Sequence, residues 1–298
     1  MKNRDAMWGL LFVAAPVLSV VLFVFLPAVF SVYISMIEWN GYIPIGKAAF
    51  TGFRNFALFL ARGGLYTKEF LNSLFVTLIL MLFIPLNIII SFLLAFVLNR
   101  KKTLMKNALR LVYFLPFVSS AVAITLVFKN LFDINGVVNS LFSVFGFEAV
   151  DWLRSPGLSR VVIIAMLVWR NIGYTMLMYL AGLQGIPHEI YEAAKIDGAG
   201  VLKTITKITL PSLTNITFFL VVTNVISGLQ IYTESAILFQ NSFGKGPLNG
   251  TESMMIFLMY LYSNNNLGMA SAISWAITIL VLAATFIQFV CKKSEEQL

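Results

Sequence analysis

The sequence predicts an all-α integral membrane protein: six membrane-crossing helices, with one long polar helical segment on the cytoplasmic side between the fourth and fifth. Three observations predict it. The first is composition: 59% of the 298 residues are hydrophobic and 11% are charged, with mean hydropathy +0.87, whereas a soluble domain carries about 25% charged residues to cover its surface. The second is a set of continuous apolar runs, each near the roughly 20 residues that a helix needs to cross the hydrocarbon core. The third is the way lysine and arginine collect in every second connection between those runs.

In chain order the runs are Trp8–Met36, Phe70–Leu98, Leu111–Phe128, Val161–Leu183, Leu213–Leu238 and Ala270–Val290. They are unbroken rather than alternating, which disfavours membrane strands. The first is too long for a signal-peptide core and no small-residue cleavage site follows it, so it is expected to stay as an anchor. Pro16, Pro27, Pro85 and Pro116 fall inside the runs. Prolines kink membrane helices, and neighbouring groups can take up the freed carbonyls, so a bundle around a cavity is a better fit than a set of rigid posts. The expected division is residues 1–69 for the first helix and the segment after it, 70–290 for the remaining five helices, and 291–298 for a tail.

Orientation follows from charge. Lys2 and Arg4 precede the first run. Arg100, Lys101, Lys102, Lys106 and Arg110 crowd the connection between the second and third. Lys195, Lys203 and Lys207 lie between the fourth and fifth, and Lys292 and Lys293 follow the sixth. The longer, less basic connections are Gly41–Glu69, Lys129–Arg160 and Gln240–Met269. The positive-inside rule places both termini in the cytoplasm. It also accounts for the net charge of +8 without nucleic acid, for which no long basic run or aromatic–basic interleaving is present. Cys291 is the sole cysteine and His188 the sole histidine. A cysteine metal cluster, an intramolecular disulfide and most triad chemistry are thereby excluded, so no catalytic and no metal-ligating residue is assigned.

The polar segment Glu189–Pro211 is the longest inward connection. Pro187 suits a first helical turn, and Glu189 and Glu192 follow near the positive end of the helix dipole. Ala193 and Ala194 are small enough for a partner backbone to come close, and Asp197 recurs on the same spacing. Gly198 and Gly200 break the helix. Val201, Leu202, Ile205 and Ile208 then form the apolar stripe of a second short helix, which Pro211 ends. On pattern alone this is either an amphipathic pair resting on lipid or a docking element for another protein.

The order of residues separates those readings. Glu192-Ala193-Ala194, Asp197-Gly198-Ala199 and Ile208-Thr209-Leu210-Pro211 resemble the EAA loop of binding-protein-dependent ABC importer permeases. The likeness extends to Phe50-Thr51-Gly52-Phe53-Arg54-Asn55-Phe56, Leu115-Pro116, Gly136-Val137-Val138-Asn139, Ala181-Gly182-Leu183-Gln184-Gly185-Ile186-Pro187 and Ala270-Ser271-Ala272-Ile273-Ser274-Trp275. These are similar to the sugar-permease branch that includes the larger maltose permease and the glycerol-phosphate permease. Where that family often has Gly-Gly-Pro, this chain has Gly244-Lys245-Gly246-Pro247. The resemblance implies that the segment is a coupling helix entering a groove on a separate ATPase, with Glu189, Glu192, Ala193, Ala194, Asp197 and Gly198 in contact. It implies two cytoplasmic ATPase subunits that use ATP and Mg, an extracytoplasmic solute-binding protein, and a second homologous permease as heterodimeric partner. The setting is a bacterial or archaeal cytoplasmic membrane, and this chain binds no cofactor of its own.

The solute pathway is sought among polar groups at membrane depth. Arg170 is costly there, about 2.5–3.5 kcal/mol on insertion scales, and Glu234 falls at a comparable depth on the fifth run. Either the two face an aqueous cavity as a pair, or Arg170 snorkels outward and Glu234 is outside. Asn171, Tyr174, Asn224, Ser227, Gln230 and Tyr232 complete the candidate set. Amides and hydroxyls suit the hydroxyl groups of a neutral sugar, and aromatic rings suit its C–H faces; the same groups also join helices to one another. A phosphorylated solute asks for several basic groups, so a sugar leads over a glycerol-phosphate or polyol derivative. A channel is the reading from another class, and it needs no polar island of this kind.

Overall fold

The computed structural model describes residues 2–99 and 106–295, and the described chain is helical almost throughout. Arg100, Lys101 and Lys102 lie outside the described residues, as do the side chains of Lys2 and Arg4. Four helices are long and apolar enough to cross a membrane: Phe12–Ser35, Thr67–Leu98, Pro156–Gln184 and Leu267–Lys293. Two further candidates are bent pairs, Lys106–Val118 with Ala121–Leu131 at 100° and Val201–Ser212 with Thr214–Gly228 at 67°. The count of crossings is therefore four, or up to six if each bent pair is one crossing.

The third and fifth runs, each expected as one crossing, are therefore bent or broken. The third run is cut at Ser119–Ser120, where Ser120 turns extended (ψ 130°). Pro116 is carried inside the first half, and Ser119 returns both its N–H and its hydroxyl to the Leu115 carbonyl. The fifth run stops at Gly228, and residues 233–238 form a separate short helix after an irregular stretch.

Proline leaves a local signature elsewhere. Pro27 and Pro211 each follow a wide five-residue π turn, Val21–Phe25 and Ile205–Thr209 respectively. A proline lacks the N–H that would bond four residues back and its ring clashes with that carbonyl; a wider turn just before it relieves both. Pro85 acts more strongly: the Thr67–Leu98 helix is interrupted at Met81–Leu82, and the Met81 carbonyl is taken by the Ile84 N–H instead.

The chain forms two compact units. The first holds residues 1–70 and 258–279. It contains the one departure from an all-helical fold among the described residues, a two-residue antiparallel strand pair, Ile37–Glu38 with Ala49–Phe50. Asn55 ties this corner together: its amide donates to the carbonyls of Ser35 and Ile37, at 2.9 and 3.0 Å. Trp275 donates to the Ser31 hydroxyl at 3.0 Å. Two of the sequence signatures, Phe50–Phe56 and Ala270–Trp275, thus each carry a structural bond.

The second unit holds residues 71–257 and 280–298. Its centre is Pro156–Gln184, with 44% of its most apolar window buried. Val162, Ile163, Met166 and Leu167 pack with Val76, Leu80 and Phe83 near one end; Met176, Tyr179 and Leu183 pack with Phe92, Leu98 and Leu220 near the other. Gly173 lets the Lys106–Val118 helix lie directly against it, because any Cβ there would overlap the Tyr113 backbone. Between the helices runs a buried polar chain: Asn87 donates to Thr175 at 2.9 Å and, at 3.5 Å, to Asn224, while Ser91 donates to the Ile172 carbonyl at 3.1 Å. Asn139, from the Gly136–Asn139 signature, locks its own loop. Its amide donates to the Ile134 and Val150 carbonyls, and its oxygen accepts from the Val150 and Trp152 N–H groups.

Candidate functional site

Two sites emerge, both in the second unit. The first is a cavity of about 290 Å³. The long helix Pro156–Gln184 presents Leu167, Arg170 and Asn171 on one face, at helical spacing. Opposite stand Ser227, at the end of Thr214–Gly228, and the irregular stretch that follows, with Gln230, Ile231, Tyr232, Thr233 and Glu234. Phe83 closes another side. The stretch is irregular because the helix ends at Gly228, and it is held in place by Ser253, which donates to the Ile231 carbonyl at 2.6 Å. Non-helical backbone at membrane depth is tolerated where it lines a cavity.

Within this cavity Arg170 and Glu234 meet, Nη1 to Oε1 at 2.8 Å, with side chains 29% and 7% exposed. The two side chains are thus paired across a cavity, as the first of the two readings of them expects. Pairing leaves the lining close to neutral, and the buried Arg170 Nε has no protein acceptor. The Asn171 amide donates back to Leu167 and the Ser227 hydroxyl to Thr223, so Asn171 still offers its oxygen to the cavity. The site therefore combines a guanidinium N–H, amide groups, hydroxyls and a phenol, which can exchange hydrogen bonds with a neutral polyhydroxylated solute.

Six of the eight residues singled out for the pathway line the cavity: Arg170, Asn171, Ser227, Gln230, Tyr232 and Glu234. Tyr174 and Asn224 do not. Tyr174 stacks on Phe117 (4.8 Å between centroids, 14° between planes). Asn224 is buried, donating to the Leu220 carbonyl at 2.7 Å and accepting from Asn87. Both serve helix packing, the alternative use of polar and aromatic groups inside a bundle.

The second site is the polar segment. Helix His188–Ile196 starts directly after Pro187 and ends at Asp197. A Schellman cap closes it: Gly198 takes φ +70°, its N–H donates to the Lys195 carbonyl at 3.1 Å, and the Ala199 N–H reaches back to Ala194 at 2.9 Å. Glycine adopts that conformation without the Cβ penalty other residues meet, and the space around Gly198 is open. The chain then re-enters a helix, Val201–Ser212, one residue beyond the proline expected to end it.

Glu189, Glu192, Ala193, Asp197 and Gly198 are exposed. Ala194 is not: it is 7% exposed and faces inward on the same side as Tyr191, whose hydroxyl meets that of Thr209 at 3.3 Å. A contact role for Ala194 is therefore corrected to a packing role. The expected apolar stripe of the second helix also divides, with Ile205 and Ile208 half-buried and Val201 and Leu202 in the open. Ile196, which sequence reasoning passed over, is 87% exposed. Ile196, Val201 and Leu202 flank the glycine corner and leave it apolar, a surface that marks a partner or membrane contact.

A family model described as binding-protein-dependent transport system inner membrane component matches residues 87–293. The lactose transport system permease protein of Rhizobium radiobacter is 35% identical over 210 residues, 69% of this chain and 70% of that protein. The arabinooligosaccharides transport system permease protein of Bacillus subtilis is 31% identical, covering 93% of this chain and 86% of its own. The trehalose/maltose transport system permease protein of Thermococcus litoralis is 30% identical, covering 96% and 94%. Among solved structures, a chain of a bacterial ABC transporter involved in the import of alginate superposes with a TM-score of 0.82 over 98% of both chains, at 22% identity, which extends the likeness of fold along the whole chain. With more than two thirds of its length inside the family model, the chain belongs to the inner membrane components of binding-protein-dependent transport systems.

Proposed function

We propose that this chain is one of two membrane-spanning subunits of an ATP-driven importer for a sugar or oligosaccharide. The observation that carries the reading is the pairing of a neutral polar cavity, lined in part by the long apolar helix Pro156–Gln184, with an exposed, apolar-tipped helical corner in the polar segment. The corner is the coupling helix. Glu192, Ala193, Asp197, Gly198 and Ile196 enter a groove on a cytoplasmic ATPase, which uses ATP and Mg. Closure of two ATPase subunits moves the corner and its counterpart on a second, homologous permease, and the pathway alternates between inward-open and outward-open. An extracytoplasmic solute-binding protein supplies the solute. This is a two-state element whose equilibrium a nucleotide-driven partner biases.

Sugar is favoured over glycerol phosphate because the cationic group of the cavity, Arg170, is already paired with Glu234. The named relatives, permeases of lactose, arabinooligosaccharide and trehalose/maltose systems, support the same class. The test is reconstitution with the second permease, the ATPase and the binding protein in vesicles. The expected result is ATP-dependent accumulation of lactose, trehalose or arabinotriose together with binding-protein-stimulated ATP hydrolysis. Passive flux without ATP would turn the reading to a channel, and accumulation of glycerol phosphate alone would turn it to the polyol-derivative class.

A further inference from the structure

The first compact unit carries a second polar cavity that the pathway does not use. It has a volume of about 560 Å³, within the range of about 300–1,000 Å³ of small-ligand pockets. One wall is the loop of the short strand pair, with Trp39, Asn40 and Lys47; the other is the run Asn264-Asn265-Asn266. The Asn264–Asn266 wall lies in Gln240–Met269, whose one basic residue is Lys245, so the positive-inside bias favours the extracytoplasmic face for it and for the strand loop bonded to it.

The walls are built. The Trp39 indole N–H donates to the Ile43 carbonyl at 2.8 Å, which fixes the ring. The Asn40 oxygen accepts from the Tyr42 and Ile43 N–H groups, leaving its amide N–H₂ free to donate. The Asn264 amide donates to the Tyr260 carbonyl and that of Asn265 to the Tyr42 hydroxyl at 2.8 Å, leaving both oxygens free to accept. Asn265 is held in the left-handed region at φ +56°, a conformation asparagine tolerates better than most residues. The Leu267 and Gly268 N–H groups close the corner by donating to the Trp39 carbonyl. A free donor on Asn40 and free acceptors on Asn264 and Asn265 therefore surround a fixed, half-buried indole, with the Lys47 ammonium and the Glu38 carboxylate, itself paired with Arg54 at 3.3 Å, also in the lining.

We propose that this cavity is a saccharide-binding site on the extracytoplasmic side, separate from the Arg170–Glu234 cavity. A pyranose or furanose ring would lay its C–H face on Trp39, while its hydroxyls accept from Asn40 and donate to Asn264 and Asn265. The choice of a saccharide rests on the sugar-import reading above; the existence of a polar binding cavity in this unit does not.

The test uses the assembled transporter in right-side-out vesicles. Cys291→Ser removes the only native cysteine of this chain, and Ile43→Cys, a lining position whose side chain has no role in the proposed contacts, then reports the cavity through its rate of labelling by a membrane-impermeant maleimide. Lactose, trehalose and arabinotriose are the probes, with glycine betaine as osmotic control. At a sugar concentration about three times its dissociation constant, labelling is expected to slow about fourfold without ATP. Asn265→Gly, which keeps the left-handed backbone but removes the amide, should weaken that protection. Trp39→Ala should weaken it more than Trp39→Phe. Labelling that no sugar slows beyond the betaine control overturns the proposal, as does protection by the solute-binding protein alone. Uptake is measured in parallel: uptake without protection removes this site and leaves the import reading standing, whereas protection without uptake supports the site and counts against import.

Discussion

At the scale of single residues, Arg170 and Glu234 carry the strongest commitment. Their 2.8 Å pair is mostly buried, so removing one partner strands a charge, at a cost of up to about 3–5 kcal/mol in buried settings. Arg170→Ala is accordingly expected to lower the thermal midpoint of the purified transporter and to abolish uptake. Arg170→Met with Glu234→Leu removes both charges and is expected to regain most of the lost stability, since an apolar replacement of a buried pair is often neutral or stabilising. Uptake should stay lost if the pair also touches solute. Melting curves and transport assays on the three variants separate the roles: full uptake in the double variant would reduce the pair to a strut. The residue identities were legible in the sequence because charge at membrane depth is rare and costly, and six of the eight pathway candidates do line the cavity. Tyr174 and Asn224 misled because a polar group inside a bundle can serve a neighbour as readily as a solute, and only the Phe117 stacking and the Asn87 bond tell which.

At the scale of elements, the glycine corner is the part most open to test. Gly198 sits at φ +70° with open space around it, so a substitution there strains the backbone without a clash. Asparagine and aspartate bear that strain well, through local hydrogen bonding. Gly198→Asn and Gly198→Asp should therefore insert and fold alike. If the corner enters an ATPase groove, both should cut uptake sharply, Asp more so, while ATP hydrolysis becomes independent of the binding protein. Normal coupling in both variants would sink the docking role. Glu192→Lys, a charge reversal at an exposed position, is expected to uncouple in the same way. Gly173 behaves differently. It lies where two helices touch backbone to backbone, so Gly173→Val should cost about 1–3 kcal/mol or more through overpacking, read as lower yield and a lower melting point. The existence of both polar-segment helices was legible from proline, glycine and charge placement. The inward turn of Ala194 was not, because two adjacent alanines carry no marker of which one meets the protein's own interior. The break at Ser119–Ser120 was hidden because the run is strongly apolar on both sides of it, and an apolar run does not record where its helix bends; the break after Gly228 had a signal, the polar residues Gln230, Tyr232 and Glu234, which were read as pathway groups within one run.

At the scale of the whole molecule, burial and charge sort the elements by environment. None of the most apolar window of Phe12–Ser35 is buried within the chain, against 44% for Pro156–Gln184. The first helix therefore offers its surface to lipid or to another subunit, while Pro156–Gln184 is enclosed by its own chain. The membrane class was legible from hydropathy alone, because no other solvent accommodates so little charge. The buried helix Met254–Ser263 was not, since at 10 residues it is too short to cross and was read as part of an outer connection. Charge sets the orientation. Lys195, Lys203 and Lys207 surround the glycine corner, whereas the Asn264–Asn266 turn has no basic neighbour between Lys245 and Lys292. Moving lysine or arginine across the membrane opposes the positive-inside bias, so the two regions should lie on opposite faces. In a Cys291→Ser background, Ile196→Cys, at an 87% exposed position, should react with an impermeant maleimide only in inside-out vesicles, and Asn264→Cys only in right-side-out vesicles. Labelling of both positions from the same face would overturn the orientation, and with it the placement of the coupling corner beside a cytoplasmic ATPase.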